Sequence, residues 1–340
     1  MATLTDLSAP PLHDGIIERL RSFVAARSEL IGEVRIESFA PVSTGRSREN
    51  WVFDAVSSGA GIEVRERLIA RRDPPGGLIA TDRSTEFAVL RALESTALPT
   101  PRARWLDATG AELGRPCLVM VRVEGTCDYY ELNGTAPLAV RVDLAQRLCT
   151  LLSDVHAVDW RAIGLGEVLV DPGESAALAA LDEWEAVLRR EQLEAYPEIE
   201  LAAMCLRAAA PRSPGTVLVH GDFKVGNVLL KNGRITALLD WELAHLGDPH
   251  EDLGWVTQPL RTREHYIAGA WEREELLAQY EKASGLCVNR ESVLWWNVFA
   301  AFKTAIMQAT GLRAFVEGRS DELFQPSAAV LLTLLDTAPA

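Results

Sequence analysis

The stretch from Val217 to Trp255, VLVHGDFKVGNVLLKNGRITALLDWELAHLGDPHEDLGW, constrains the fold more than any other part of the chain. At its centre Asn232-Gly233 separates two apolar runs. That dipeptide is the strongest short-range hairpin signal, because a type I′ turn needs positive φ at both central residues. With these two as the loop, Lys231 pairs with Arg234, and register sets Asn227 opposite Leu238. Side chains alternate along a strand, so Asp240 shares a face with Leu238 and therefore with Asn227. The expectation is a pair of diagonal cross-strand neighbours about 7–8 Å apart, or less, at Cβ. An amide oxygen and a carboxylate at the open end of a hairpin suit a hard divalent cation. Magnesium favours such sites, taking one or two protein oxygens and the rest from water and phosphate. Asp222 precedes Asn227 in a loop that holds Gly221 and Gly226, and approaches the same zone.

Around this stretch the chain changes character once. A helix is expected over about 15–30, with Ile16, Ile17, Leu20, Phe23 and Val24 on one face. Strands follow at Val34–Phe39, Trp51–Val56 and Val64–Ala70. Then come a helix from about Asp82 to Glu94, a loop with Pro99 and Pro101, and a strand around Cys117–Val123. From Leu138 onward the pattern is mostly helical, the hairpin at 228–239 excepted. The 340 residues suit two domains or one domain of two lobes. The division falls near Val121–Gly125, giving a β-rich part over 1–121 and a larger helical part over 122–340. Asp248-Pro249-His250-Glu251 carries N-cap, N1-proline and N3-glutamate signals, which puts Asp252 early in a helix.

Composition narrows the partners. Lys+Arg 34 against Asp+Glu 48 gives a formal net charge of −14. Such an acidic surface argues against nucleic acid and against an anionic membrane as partner. A few local donors still suffice to hold a phosphorylated ligand. The five cysteines (Cys117, Cys127, Cys149, Cys205, Cys287) form no zinc spacing and are expected mostly as small buried residues in a reducing cytosol. No apolar run reaches the 18 or so residues of a membrane helix, and the N-terminus lacks a basic-then-apolar leader. The expectation is a soluble cytoplasmic protein of unassigned oligomeric state.

HGDxxxxN followed by a hairpin and Asp240-Trp241-Glu242 resembles the aminoglycoside phosphotransferase and choline kinase-like family. These are small-molecule relatives of the protein kinases, whose corresponding elements are H-R-D-x-x-x-x-N and D-F-G. The resemblance implies an α+β bilobal protein-kinase-like fold, with an N-terminal β-rich nucleotide-binding lobe and a helical catalytic and acceptor-binding lobe. It implies transfer of the γ-phosphoryl group of ATP or GTP, with Mg²⁺, to a small-molecule hydroxyl. Asp222 would orient that hydroxyl and accept its proton, Asn227 and Asp240 would hold the metal, and Lys224 would stand near the γ-phosphate. His220 is read as a support of the loop backbone, and Asp252 as its brace.

The first lobe matches the kinase pattern more loosely. Ser43, Thr44, Gly45 and Ser47 offer backbone N–H groups and hydroxyls to phosphate around a single glycine. No lysine stands in the strand Leu68–Arg72; Arg71 is the favoured phosphate contact and Arg72 the alternative. Glu86 lies on one helix face with Leu90 and Leu93, and a glutamate there needs a cationic partner, for which Arg71 is proposed. Met120, Val121 and Val123 would form the hinge whose backbone receives the base. The degraded glycine loop motivates an alternative, a nucleotide-binding regulatory module without substantial turnover.

On the acceptor side, Trp255, Tyr266, Trp271, Trp295, Trp296, Phe299 and Phe302 are candidate walls, or else helical core. Residues 171–200 hold nine acids against two arginines, which would either attract a polycationic sugar or form a solvated surface.

Overall fold

The computed structural model describes residues 12–28, 32–42, 49–59, 61–79 and 82–337. Backbone contacts divide the chain into two units, Met1–Pro74 with Arg102–Arg122, and Pro75–Pro101 with Val123–Ala340.

The first unit holds helix α1 (Leu12–Ala25) and strands β1 (Glu33–Pro41), β2 (Glu49–Gly59), β3 (Ile62–Arg72), β4 (Ala103–Asp107) and β5 (Cys117–Val121). The strands form one antiparallel sheet in the order β1-β2-β3-β5-β4. Alternation decides what each face meets. Leu68 and Ala70 of β3 join Phe53, Ala55 and Val119 in a core closed by Ile16, Leu20, Phe23 and Val24 of α1. Arg71 therefore lies on the sheet face away from that core. The three expected strands each sit inside a longer observed one. Strand β4 was not expected, because Pro99 and Pro101 mark a loop and only five residues follow in the ladder. The leading helix ends at Ala25 and gives way to a turn at Ala26–Arg27, earlier than expected.

The second unit begins with α2 (Arg83–Leu93), capped by Asp82, whose side chain accepts from Ser84 N at 2.8 Å. Its buried face carries Glu86, Leu90 and Leu93, as the spacing predicts. Next come α3 (Leu138–His156), α4 (Ala176–Glu191) and α5 (Pro197–Ala208). Short strands β6 (Val217–Val219) and β9 (His245–Gly247) pair antiparallel, and β7 (Val228–Lys231) with β8 (Arg234–Leu238) is the hairpin between them. Then α6 (Pro249–Thr257), α7 (Thr262–His265), α8 (Arg273–Ser284), α9 (Arg290–Val316) and α10 (Ala329–Thr337) complete the unit. The core lies along α9, where Trp295, Trp296, Phe299 and Phe302 pack with Leu181, Trp184 and Leu188 of α4 and Ile199 of α5. Helix α6 starts as predicted: Asp248 caps it by accepting from His250 N, and Pro249 occupies the first turn.

The fold is thus α+β, an antiparallel sheet followed by a mostly helical part. Among the described residues no helix is long and apolar enough to cross a membrane. The cysteines are all unpaired, but only Cys117 and Cys149 are buried; Cys127 is intermediate and Cys205 and Cys287 are exposed, contrary to expectation.

Candidate active site

Strand β6 delivers the chain into the loop at His220, and buried polar groups fix that loop. Asp252, on the first turn of α6, accepts from His220 N at 2.8 Å and Gly221 N at 2.9 Å. It also accepts from His156 Nε2 at 3.1 Å. Burial alone would raise the Asp252 pKa, but these donors overcome it and bring it down to about 2. The carboxylate therefore stays charged and braces the loop backbone, as expected. His220 donates from Nε2 to the Leu239 carbonyl at 2.9 Å, so its Nδ1 accepts from Asp222 N at 3.3 Å. Burial lowers its pKa and keeps it neutral, which this pair of bonds requires. Its ring lies 4.8 Å from that of Trp241, joining the loop to the segment after β8. Gly221 has φ +78°, and a Cβ there would stand 2.6 Å from the Leu243 carbonyl oxygen, so only glycine fits.

These supports hold Asp222, Lys224 and Asn227 together. Lys224 Nζ donates to Asp222 Oδ2 at 2.6 Å. Asn227 Nδ2 donates to the same oxygen at 3.1 Å and to the Asp222 carbonyl at 3.0 Å. With the amide nitrogen so engaged, Oδ1 of Asn227 is the atom left for a cation. Burial lowers the Lys224 pKa, but Asp222 more than reverses this, and the lysine stays an ammonium.

The hairpin departs from the predicted register. Lys231 does pair with Arg234, and Asn232 and Gly233 have φ of 51° and 71°, the geometry a type I′ turn demands. But Val228, not Asn227, pairs with Leu238, because a bulge between Ile235 and Ala237 leaves Thr236 without a partner on β7. The Thr236 hydroxyl is occupied by the carbonyls of Leu229 and Glu124, at 3.2 and 2.8 Å. Asn227 instead accepts from Leu239 N at 2.8 Å. Asp240 follows in the left-handed region, φ 69° and ψ 56°, and so leaves strand alternation altogether. The shared-face argument fails, yet Asp240 directly follows the residue bonded to Asn227.

The donor set expected from the sequence is the Asn227 amide and the Asp240 carboxylate. Among the described residues no group of three or more His, Cys, Asp and Glu could hold a metal. Two hard oxygens suit magnesium shared with phosphates and do not suit zinc.

Sequence reasoning missed several members of this neighbourhood. Arg261, between α6 and α7, brings Nη2 within 3.9 Å of Asp222 Oδ1 and stacks 4.2 Å over the Trp255 ring. Its charge and that of Lys224 add to burial in holding His265 neutral, with a pKa of about 3. No spacing signal marks Arg261. Lys303, by contrast, interrupts an apolar run in α9, an anomaly that could have singled it out. Tyr129 has its ring against Gly226, where a Cβ would stand 2.7 Å away, and both Tyr129 and its neighbour Tyr130 are about half exposed. Of the aromatics read as walls or else core, Trp295, Trp296, Phe299 and Phe302 fill the α9 core, and Trp255 and Trp271 are buried too. Tyr266, partly buried, uses its hydroxyl on the Thr257 carbonyl. Helical spacing of large aromatics signalled packing here.

On the nucleotide side, Ser43, Thr44, Gly45 and Ser47 lie outside the described residues. Arg72 is committed to the sheet, bonded to Glu49 at 2.5 Å and to the Leu113 carbonyl at 3.0 Å while stacked on Trp51. Arg71 occupies the opposite face, in register with Asn50 and Leu118. Glu86 is fully buried and bonded to Arg83 on its own helix, and Arg83 reaches Glu242 at 3.8 Å. Arg71 and Glu86 belong to different units. Met120 and Val121 end β5, and Val123 opens the second stretch of the second unit.

A profile of the phosphotransferase enzyme family matches residues 38–296. Acyl-CoA dehydrogenase family member 11 of Rattus norvegicus is 28% identical over 278 residues, which cover 76% of this chain and 35% of the relative. The chain spans about a third of the length of the curated relatives it matches. Among solved structures, a Ralstonia eutropha JMP134 protein provisionally assigned as an aminoglycoside phosphotransferase superposes with a TM-score of 0.68 at 21% identity, over 94% of each chain. The streptomycin–ATP complex of APH(2″)-IIa gives a TM-score of 0.57 at 16% identity, over 96% of this chain and 99% of that one. The structural likenesses establish the kinase-like fold. The profile match runs through the Asp222–Asn227 loop and the turn at Asp240, and by it the chain belongs to the phosphotransferase enzyme family.

Proposed function

We propose that the protein moves the γ-phosphoryl group of ATP, or GTP, to a hydroxyl of a small molecule. The arrangement of Lys224 and Asn227 on the Asp222 carboxylate carries this reading. Asp222 would orient the acceptor hydroxyl and take its proton as that oxygen bonds to the γ-phosphorus and the bond to the β–γ bridging oxygen breaks. Lys224 would offset charge on the transferring group. Magnesium, when bound by Asn227 and Asp240, would neutralise the phosphate oxygens. Catalysis would come mainly from positioning and electrostatics, as is general for phosphoryl transfer. We assign Ser43, Thr44, Gly45, Ser47, Arg71, Glu86, Met120, Val121 and Val123 to the nucleotide.

For the acceptor, two observations favour a hydroxyl on an apolar body, with hydroxyacyl thioesters heading the classes to try. Tyr129, Tyr130 and Leu260 are half-exposed apolar residues near the loop and Arg261. The curated relatives bear an acyl-CoA dehydrogenase name. The test is a screen of hydroxyacyl thioesters, amino sugars and simple alcohols with γ-labelled ATP and magnesium. The expected result is a labelled organic product that disappears with a chelator. Saturable nucleotide binding with no labelled product from any alcohol would favour the regulatory alternative.

A further inference from the structure

Lys303 is the one fully buried lysine among the described residues, and none of the roles assigned above uses it. Its Nζ donates to the Gly221 carbonyl at 2.9 Å and lies 3.8 Å from Glu251 Oε1. The rings of Trp184 and Trp255 flank it, with centroids at 5.3 and 5.1 Å. A buried ammonium is kept against a large desolvation cost, so its placement calls for a specific return.

The atom it holds supplies one. The peptide from Gly221 to Asp222 is planar, so its oxygen and the Asp222 N–H move together. Lys303 holds the oxygen, His220 Nδ1 accepts from the N–H, and Asp252 holds the preceding N–H of Gly221. Fixing that plane fixes the direction in which the Asp222 side chain leaves the backbone. The same charge chain continues to the other side of the site. Glu251 Oε2 accepts from His245 Nε2 at 3.0 Å, and His245 Nδ1 donates to the Leu243 carbonyl at 2.9 Å. Lys303, Glu251 and His245 thus hold one carbonyl beside Asp222 and one three residues beyond Asp240.

We propose that Lys303 is a positioning residue for phosphoryl transfer: its buried ammonium orients the Gly221–Asp222 peptide and, through Glu251 and His245, ties it to the turn that carries Asp240. The proposal rests on the phosphotransferase reading for its kinetic arm and on backbone mobility for its second arm.

The experiment compares the full chain with Lys303→Met and Lys303→Arg, using transfer from Mg-ATP to water as the probe reaction. Lys303→Met should lower kcat about a hundredfold while the Kd for a fluorescent ATP analogue changes by less than about threefold, and Lys303→Arg should recover about tenfold of the loss. In parallel, hydrogen exchange of residues 220–224 should quicken about tenfold in Lys303→Met with α9 protection unchanged. Unchanged kcat with unchanged loop exchange would overturn the proposal. So would exchange that rises equally through α4, α6 and α9, because that is the mark of a packing role. If Lys303→Met fails to fold, Lys303→Gln, which keeps a donor and drops the charge, is read the same way. If the wild-type protein does not hydrolyse ATP, which does not bear on transfer to an alcohol, loop exchange decides Lys303 by itself.

Discussion

Asp222 acts within a frame of single atoms, and that frame is where residue-scale predictions bite. Gly221→Ala places a Cβ against the Leu243 carbonyl at a positive φ. It should cost about 1–3 kcal/mol in urea unfolding and reduce turnover, since backbone strain would be released at the residue next to Asp222. The two arginines that end β3, Arg71 and Arg72, should separate cleanly. Arg72→Met should lower stability by about 1 kcal/mol through loss of its bonds to Glu49 and Leu113, leaving nucleotide affinity within about threefold. Arg71→Met should raise the KM for ATP about tenfold or more. Equal effects from both would contradict the assignment of Arg71 to the nucleotide. At this scale much was legible in the sequence: His220, Asp222, Asn227, Asp240 and Asp252 stand in a fixed spacing. Arg261 was not, because Asp222 lies far from it in the chain and no local pattern announces it.

At the scale of elements, the hairpin shows why spacing is read more easily than register. Asn232-Gly233 specifies the turn, and the turn specifies the first pair, but a single bulged residue at Thr236 shifts every later pair by one. Nothing in the apolar pattern of β8 reveals it, since the bulge is stabilised by Glu124 from outside the hairpin. Helix α6 is the opposite case, because its cap and its proline are local signals and its start was legible to the residue. The link from α6 to β9 also carries a pH signature. Burial would lower the His245 pKa, but Glu251 raises it from an ordinary 6.5 to about 9. A histidine raised on folding adds stability fully present below pH 6.5 and lost as pH climbs through about 9. The wild-type protein should therefore lose more thermal stability between pH 7 and pH 10 than His245→Gln, measured by calorimetry in matched buffers. Parallel curves would show that the imidazolium contributes nothing.

Across the whole molecule, several of the acids that make up the excess are paired with arginines. Arg207 meets Asp182 and Glu185, Arg161 meets Asp171, and Arg212 meets Glu174, all at exposed positions on or around α4 and α5. Four of the nine acids of residues 171–200 thus have arginine partners of their own. The cations that do approach Asp222 are Lys224 and Arg261, a basic pair within a chain of net charge −14. On the proposed function, Asp222 performs the proton-accepting step of transfer from ATP to an alcohol. Single-turnover transfer of labelled γ-phosphate by the wild-type protein and Asp222→Asn, with nucleotide affinity measured on both, tests this. Asp222→Asn should lose about a thousandfold or more in the rate of transfer, with ATP affinity within about threefold. Equal rates in the two proteins would contradict it.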